Sequence, residues 1–352
     1  MEIREAIERA VGGQDLTEDE CRGVMGELMS GRCTAAQISS WITALRVKGE
    51  TVEEVAGAAL AMRERALRVE TGLAPLLDTC GTGGDGSHTF NISTAAALVA
   101  ATAGARVAKH GNRSVSSRCG SADVLEALGV PVALPAAGVA ACIREVGFGF
   151  LFAPGFHPAM KHAAGPRREI RIRTIFNLLG PLTNPAGAQR QVVGVFAARW
   201  VMPMAKVLAR LGTEHAFVVH GYGGLDEVSL SGHSFVAEVV EGRISERMLD
   251  PQSVVDAAED GAPYLAGGDP VANAAIMRAV LQGEAGPQSC AVALNAAFAL
   301  VAGGVAGDLR GAADLARDIL HSGKAWATVE RLREVARRET DRAAAAHGER
   351  EK

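Results

Sequence analysis

At 352 residues the chain exceeds the length that one hydrophobic core usually serves, so roughly two domains are expected. Apolar residues make up 48% and charged residues 22% of it, which excludes an intrinsically disordered chain. A net charge of −4 excludes general attraction to nucleic acid or to an anionic membrane, and confines any anion affinity to local groups.

The opening Met1-Glu2-Ile3-Arg4-Glu5 is charged and lacks the apolar stretch of a secretory signal. The first seventy residues then carry three helix-opening signatures, Thr17-x-x-Glu20, Thr34-x-x-Gln37 and Thr51-x-x-Glu54, each a hydroxyl three residues before a side chain that can bond back. Behind the first, Cys21, Val24, Met25, Leu28 and Met29 recur at helical spacing. Behind the second, Ile38, Trp41, Ile42 and Leu45 do so. Core packing or a subunit contact is the expected use of these stripes.

After Glu70 short apolar runs end in glycine and lead into helices, the texture of an α/β sheet with loops at its strand ends. Strands are expected at Leu76-Leu77-Asp78, at Arg106 to Lys109, at Gly149 to Phe152, at Gln191 to Phe196 and at Ala216 to His220. The stretch from Lys161 to Asn184 has helical patterning and returns to the helical part. Ser121 is expected to cap a further helix. The Ala-rich segment from Ala291 to Gly307 is the most apolar, but Asn295 and three glycines mark it as a buried helix, not a membrane span. The residues from Arg342 onward are expected to fray. Six scattered cysteines form no C-x-x-C pair, so free thiols are expected and neither a zinc site nor a disulfide framework is. A cytoplasmic location is the default that follows.

Four segments carry candidate chemistry. Gly81-Thr82-Gly83-Gly84-Asp85-Gly86 follows a strand and precedes a helix start at Asn91-Ile92-Ser93-Thr94, where backbone N–H groups and the helix N-terminus can cradle a phosphate. Alone, such a loop is equally a tight turn. The second segment, Lys109-His110-Gly111-Asn112-Arg113-Ser114-Val115-Ser116-Ser117-Arg118, crowds basic groups and hydroxyls after another strand, the donor set a phosphate needs. Third, Asp226-Glu227 after Gly224-Leu225 can hold a hard cation such as Mg²⁺ beside a diphosphate. Fourth, Phe156-His157 and Arg167-Arg168 lead toward Gly180-Pro181, where a guanidinium near an apolar wall suits a small aromatic acid.

Together these runs, with Arg173-Thr174-Ile175-Phe176-Asn177-Leu178-Leu179-Gly180-Pro181-Leu182-Thr183-Asn184-Pro185 and His220-Gly221, resemble the anthranilate phosphoribosyltransferase family over nearly the whole chain. The resemblance implies a small helical domain of residues 1–70 and 165–190. It also implies a large α/β domain of residues 71–164 and 191–345 with a central, mostly parallel sheet, like that of nucleoside phosphorylases. It implies a homodimer formed through the helical part. It further implies transfer of phosphoribosyl from 5-phosphoribosyl 1-diphosphate to anthranilate in tryptophan synthesis, with Mg²⁺ as cofactor and neither nucleic acid nor membrane as partner.

By resemblance, Gly81, Gly84, Asp85, Thr89, Asn91, Ile92, Ser93, Thr94, Lys109, Gly111, Ser121 and the loop Asn112, Arg113, Ser114, Val115, Ser116 and Ser117 are the diphosphate-sugar contacts. Ser93, Asp226 and Glu227 are the magnesium ligands, and Asn112, His110, His157, Arg167 and Gly180 form the anthranilate side. Lys109, Asn112 and Arg167 are the expected catalytic residues. Gly165-Pro166 stands where it could shift Arg167. Two alternatives remain. A pyrimidine nucleoside phosphorylase of the same architecture would read Lys-His-Ser-Thr-Gly-Gly in place of Lys109-His110-Gly111-Asn112-Arg113-Ser114. A non-catalytic relative binding nucleic acid would need a basic face.

Overall fold

The computed structural model describes residues 1–114, 118–256 and 265–348. Helices α1 (Ile3–Val11), α2 (Glu18–Met29), α3 (Ala35–Lys48) and α4 (Val52–Arg65) come first. All three expected capping boxes are formed, with Thr17, Thr34 and Thr51 each accepting from the N–H three residues on. Both apolar stripes are buried within the chain, so they are consumed as core. Glu54 ties this layer together. Fully buried, it accepts from Leu16 N–H at 3.0 Å, from Thr51 N–H at 2.9 Å and from Lys48 Nζ at 3.0 Å, which satisfies a charge that would be costly if left unpaired.

Alternating strands and helices follow: β1 (Leu77–Asp78), α5 (Ile92–Thr102), β2 (Val107–Gly111), α6 (Ser121–Ala127), α7 (Ala136–Val146) and β3 (Phe148–Phe152). The crossover to the second half runs through α8 (Ala153–Phe156), α9 (Lys161–Ile170) and α10 (Phe176–Leu179). Then come β4 (Arg190–Gly194), α11 (Val201–Arg210), β5 (His215–His220), β6 (Ser234–Val240) and β7 (Arg243–Leu249). Helices α12 (Pro270–Leu281), α13 (Pro287–Ala302), α14 (Leu309–His321) and α15 (Lys324–Gly348) complete the order.

The strands form one sheet in the order β3-β2-β1-β4-β5-β6-β7. Pairing is parallel from β3 across to β5 and antiparallel for β6 and β7. The chain therefore builds outward from β1 to β3, then returns to the other flank of β1 with β4. That reversal is a topological switch point, and loops leaving the C-terminal ends of the two central strands part there to leave a crevice.

One apolar cluster joins α5 to α7 and α12 to α15 with β2 and β3 and with Phe217, Val219 and Val236 of the sheet. A second joins α1 to α4 with α10 and α11 and with Val193, Val195, Val218 and Val239 of the sheet. Helix α9 packs on α2 and α3, and α10 on α4.

Three local expectations are corrected. The β6–β7 hairpin has no counterpart among the strands expected from sequence. The cap of α6 is Gly120 rather than Ser121, because Asp123 reaches back to accept from Gly120 N–H at 2.8 Å. The chain beyond Arg342 does not fray at once, since α15 runs to Gly348 and Glu339 pairs with both Arg338 and Arg342. None of the six cysteines is joined in a disulfide. No helix among the described residues is long and apolar enough to cross a membrane.

Candidate active site

The crevice at the switch point is built from the ends of β1, β2, β4 and β5. Strand β1 is short because Asp78, fully buried, turns its carboxylate to its neighbours: it accepts from His110 N–H at 3.0 Å and from Asn184 Nδ2 at 2.7 Å. Burial raises its pKa to about 6, with Lys109 opposing the rise. From there the glycine loop leaves the sheet, and Gly83, Gly84 and Gly86 all have φ between 65° and 81°, which disfavours any residue with a Cβ. Its far end is fastened to the strand-like segment before α12: His88 O accepts from Gly267 N–H at 2.8 Å, and Phe90 N–H donates to Leu265 O at 3.0 Å. Asn273 of α12 donates to Asn91 Oδ1 at 2.9 Å and accepts from Gly268 N–H at 2.7 Å.

The acidic pair meets this loop. Asp226 Oδ2 accepts from Gly83 N–H at 2.7 Å, and Asp226 N–H donates to Asp85 Oδ2 at 3.4 Å. Glu227 accepts from Ser93 N–H at 3.2 Å and from Thr89 Oγ1 at 3.5 Å. In this state the first turn of α5 is therefore capped by a carboxylate of the protein itself, at the place where an incoming anion was expected. Asp85, Asp226 and Glu227 have no Lys, Arg or His ion-pair partner among the described residues. The loss of water around Asp226, with Asp85 next to it, raises its pKa to about 7, and Glu227 rises for the same reason with Asp226 as its nearest neighbour. Gly194, at the end of β4, lies directly beneath: a Cβ there would fall 1.4 Å from Asp226 O.

Lys109 is 2% exposed and donates from Nζ to both Thr79 O and Thr79 Oγ1 at 2.9 Å. It sits beneath the crevice, so its contribution here is a buried positive charge, and burial lowers its pKa while Asp78 opposes. Thr79 in turn donates to Ser93 O at 3.2 Å, linking this charge to the start of α5.

The remaining candidates divide. His110 and His157 face each other with ring centroids 5.1 Å apart. His110 Nδ1 lies 3.0 Å from Gly180 O. A carbonyl only accepts, so Nδ1 carries the hydrogen and Nε2 presents a lone pair. The Nε2 atoms of both rings are buried and without a partner. Burial lowers the two pKa values to about 3 and about 4, which keeps both rings neutral. His157 shares a narrow crevice with Met29, Met62 and Met160, at the seam with the helical layer.

Arg167 lies on helix α9, which continues through Pro166. Its guanidinium lies 5.0 Å from the centre of the Phe176 ring, and burial lowers its pKa. Ser121, at the start of α6, donates to Asn112 O at 3.3 Å, just beyond β2. Thr94 Oγ1 is buried without a partner.

Two of the candidates have their side chains engaged within the chain. Ile92 is 1% exposed with its N–H on Phe90 O, which makes it a core residue at the helix start. Arg113 is turned onto α6, where it pairs with Asp123 at 3.0 Å and Glu126 at 2.6 Å. Ser114 N–H donates to Asp123 Oδ2 at 3.1 Å. Val115, Ser116 and Ser117 lie outside the described residues. Arg173, unassigned from sequence, stacks on Phe196 at 4.6 Å and donates to Gly84 O across the glycine loop. Asp78, Cys80 and His110 place ligand atoms within 4.8 Å of one another. They make a poor metal site, because both Asp78 oxygens are already bonded and the Lys109 ammonium repels a cation.

The neutral histidines carry a pH signature. Their folded pKa values lie below the unfolded value of about 6.5, so the stability they contribute is complete above that pH and is lost as pH falls toward 4. Thermal unfolding between pH 6.5 and 4.5 is expected to show a slope smaller by up to about 1.4 kcal/mol per pH unit in His157→Gln than in the native chain. An equal slope contradicts the buried neutral imidazole.

Comparison with known proteins agrees with this geometry. The glycosyl transferase family, helical bundle domain, matches residues 4–66, and the glycosyl transferase family, a/b domain, matches residues 73–326. Anthranilate phosphoribosyltransferase of Chloroflexus aggregans is 53% identical over 340 residues, covering 96% of this chain and all of that protein. The enzyme of Pelotomaculum thermopropionicum is 54% identical over 338 residues, or 95% of each. The crystal structure of the Thermus thermophilus enzyme superposes with a TM-score of 0.89 at 46% identity, over 94% of this chain and 99% of that one. The Saccharomyces cerevisiae enzyme in complex with PRPP and Mg gives 0.86 at 27% identity, over 95% and 97%. With its helical layer, its switch-point crevice and these relatives, the chain belongs to the anthranilate phosphoribosyltransferase family of glycosyltransferases.

Proposed function

We propose that this chain transfers the phosphoribosyl group of 5-phosphoribosyl 1-diphosphate to the amine of anthranilate, releasing diphosphate, in the second step of tryptophan synthesis from chorismate. The observation that carries this reading is the meeting of the glycine loop with Asp226 and Glu227 at the switch point, with a neutral histidine pair at the seam with the helical layer. The yeast relative solved with PRPP and Mg, and the same enzyme solved with 4-fluoroanthranilate, support the two halves of the assignment.

Magnesium fits the donor set. Three carboxylates without a basic partner, and a Ser93 hydroxyl that makes no hydrogen bond among the described residues, are hard oxygen donors. Ser93, Asp226 and Glu227 would hold the ion, which would neutralise charge on the departing diphosphate. The residues around it do the rest. The buried Lys109 charge adds a fixed positive potential beneath the leaving group, where low dielectric strengthens it. Glu227 holds the α5 N-terminus here, and its turning to a cation would leave those N–H groups to a diphosphate.

On the acceptor side the His110 Nε2 lone pair suits a hydrogen of the amine. With its pKa lowered to about 3 the ring orients the nucleophile and is too weak a base to deprotonate it. Arg167 is the group matched to the carboxylate. Arg167→Lys is expected to raise KM for anthranilate about tenfold and to leave kcat within about threefold, because a point charge replaces a planar fork. Initial rates against anthranilate concentration check this.

The same reading includes the two-part division, 1–70 with 165–190 and 71–164 with 191–345, supported by the packing of α9 and α10 on the first helices. It also includes a homodimer through that layer, supported by Val11 and Val47, which are 74% and 82% exposed on helices that pack together. The decisive assay mixes the protein with 5-phosphoribosyl 1-diphosphate, Mg²⁺ and anthranilate and follows anthranilate fluorescence. Persistent fluorescence removes the assignment. Phosphorolysis of thymidine without anthranilate replaces it by the phosphorylase.

A further inference from the structure

The loop that carries Asp226 and Glu227 leaves β5 at His220 and enters β6 only at Ser234, so its backbone has no adjacent strand to bond. Val228, the next residue after the acids, is 2% exposed, which removes its N–H and C=O from water. Both groups find one partner. Val228 N–H donates to Asn295 Oδ1 at 2.9 Å, and Val228 O accepts from Asn295 Nδ2 at 3.0 Å. A side-chain amide thus takes the place of one residue of a neighbouring strand.

Asn295 is itself buried, in the middle of an otherwise apolar stretch of α13, and its second amide hydrogen bonds Ala291 O at 3.0 Å. A buried amide is costly unless its hydrogen-bonding groups are met, and here both donors and the acceptor are used. Its helix is fixed against β5, where the Phe298 ring meets Phe217 edge-on with centroids 5.0 Å apart. The rigid sheet therefore sets the helix, the helix sets the amide, and the amide sets the peptide next to the acids. Asp85, Asp226 and Glu227 repel one another, and this amide acts against that repulsion together with the bonds of the two acids to Gly83 and Ser93.

We propose that Asn295 is a positioning residue that clamps the Val228 peptide, so that Asp226 and Glu227 are held together before any cation or diphosphate arrives. The inference rests on the reading of this site as a metal-dependent phosphoribosyl transfer site.

Hydrogen–deuterium exchange on the ligand-free protein tests the clamp directly. In Asn295→Leu, of similar volume and without either bond, the peptide spanning residues 221–230 is expected to exchange about tenfold faster, while β5 and the rest of α13 keep native rates. The half-saturating Mg²⁺ concentration at saturating 5-phosphoribosyl 1-diphosphate is expected to rise about fivefold or more, with KM for anthranilate within about twofold. Should the leucine variant not fold, Asn295→Asp, which keeps the acceptor and loses the donor, carries the same comparison. Unchanged exchange at 221–230, or equal acceleration through β5 and α13, overturns the clamp. If the native enzyme turns over anthranilate and the exchange is unchanged, the clamp falls and the function stands. If the native enzyme is inactive, the function falls and the exchange result still decides the clamp.

Discussion

Asp226→Asn combined with Glu227→Gln lowers turnover by a factor on the order of 10³ and removes its dependence on Mg²⁺, while the ligand-free protein melts at a higher temperature than the native chain. The two halves of this expected result have one cause. In the absence of a cation the two carboxylates have lost part of their water and feel each other and Asp85 across the loop, which is why their pKa values are raised. A group whose folded pKa exceeds its unfolded value binds protons preferentially in the folded state, so the ionised form at neutral pH opposes folding. Neutral amides remove that opposition and keep the acceptor for Gly83 N–H. Magnesium titration of initial rates and thermal unfolding of the ligand-free variant check both directions. A variant that retains its magnesium response, or that is destabilised, contradicts the assignment of these acids.

Gly194→Ala is the second large effect. The added methyl would lie 1.4 Å from the carbonyl oxygen of Asp226, far inside van der Waals contact, and the obstacle is backbone that cannot rotate away. The loop must therefore move by roughly 1 Å or more, which takes Asp226 off Gly83, and a displacement of that size at a reacting site costs about 10² in rate. The expected variant is folded, with kcat reduced about a hundredfold and KM for anthranilate little changed, because the histidine pair and Arg167 stand elsewhere. Steady-state kinetics with each substrate varied in turn separates these. Near-native kcat shows that the loop accommodates the methyl and carries no geometric requirement.

Much of this architecture was legible in the sequence where the signal was local. Thr17, Thr34 and Thr51 announce helices because a capping box is complete within four residues. The five parallel-sheet strands show themselves as apolar runs ending near a glycine or a polar loop. The β6–β7 hairpin escaped because Arg243, Ser245, Glu246 and Arg247 face solvent and dilute the apolar signal. Its turn, Glu241-Gly242, with φ of 49° and 80°, was the available clue.

The site divides in the same way. Gly81 to Gly86, Lys109, His110 and the acidic pair stand out as runs. Asn273, Asn295 and Arg173 do not, since their partners lie 182, 67 and 89 residues away and only the fold brings them together. The direction of Arg113 was hidden for a related reason. Its partners Asp123 and Glu126 lie 10 and 13 residues on, on the next helix, and only the fold brings them beside it.

The two edges of the sheet differ in a way that bears on how copies of this chain can associate. At one end β3 is mostly buried and packed against α7. At the other, β7 lies open and carries charges of both signs at Arg243, Glu246 and Arg247 along its exposed length. Bare strand edges recruit other strands, and charged side chains along them are a recurrent defence against aggregation. Continuous growth of the sheet from chain to chain is thereby discouraged at both ends. Concentrated solutions of the folded protein should accordingly resist fibril formation for as long as β7 keeps its charges.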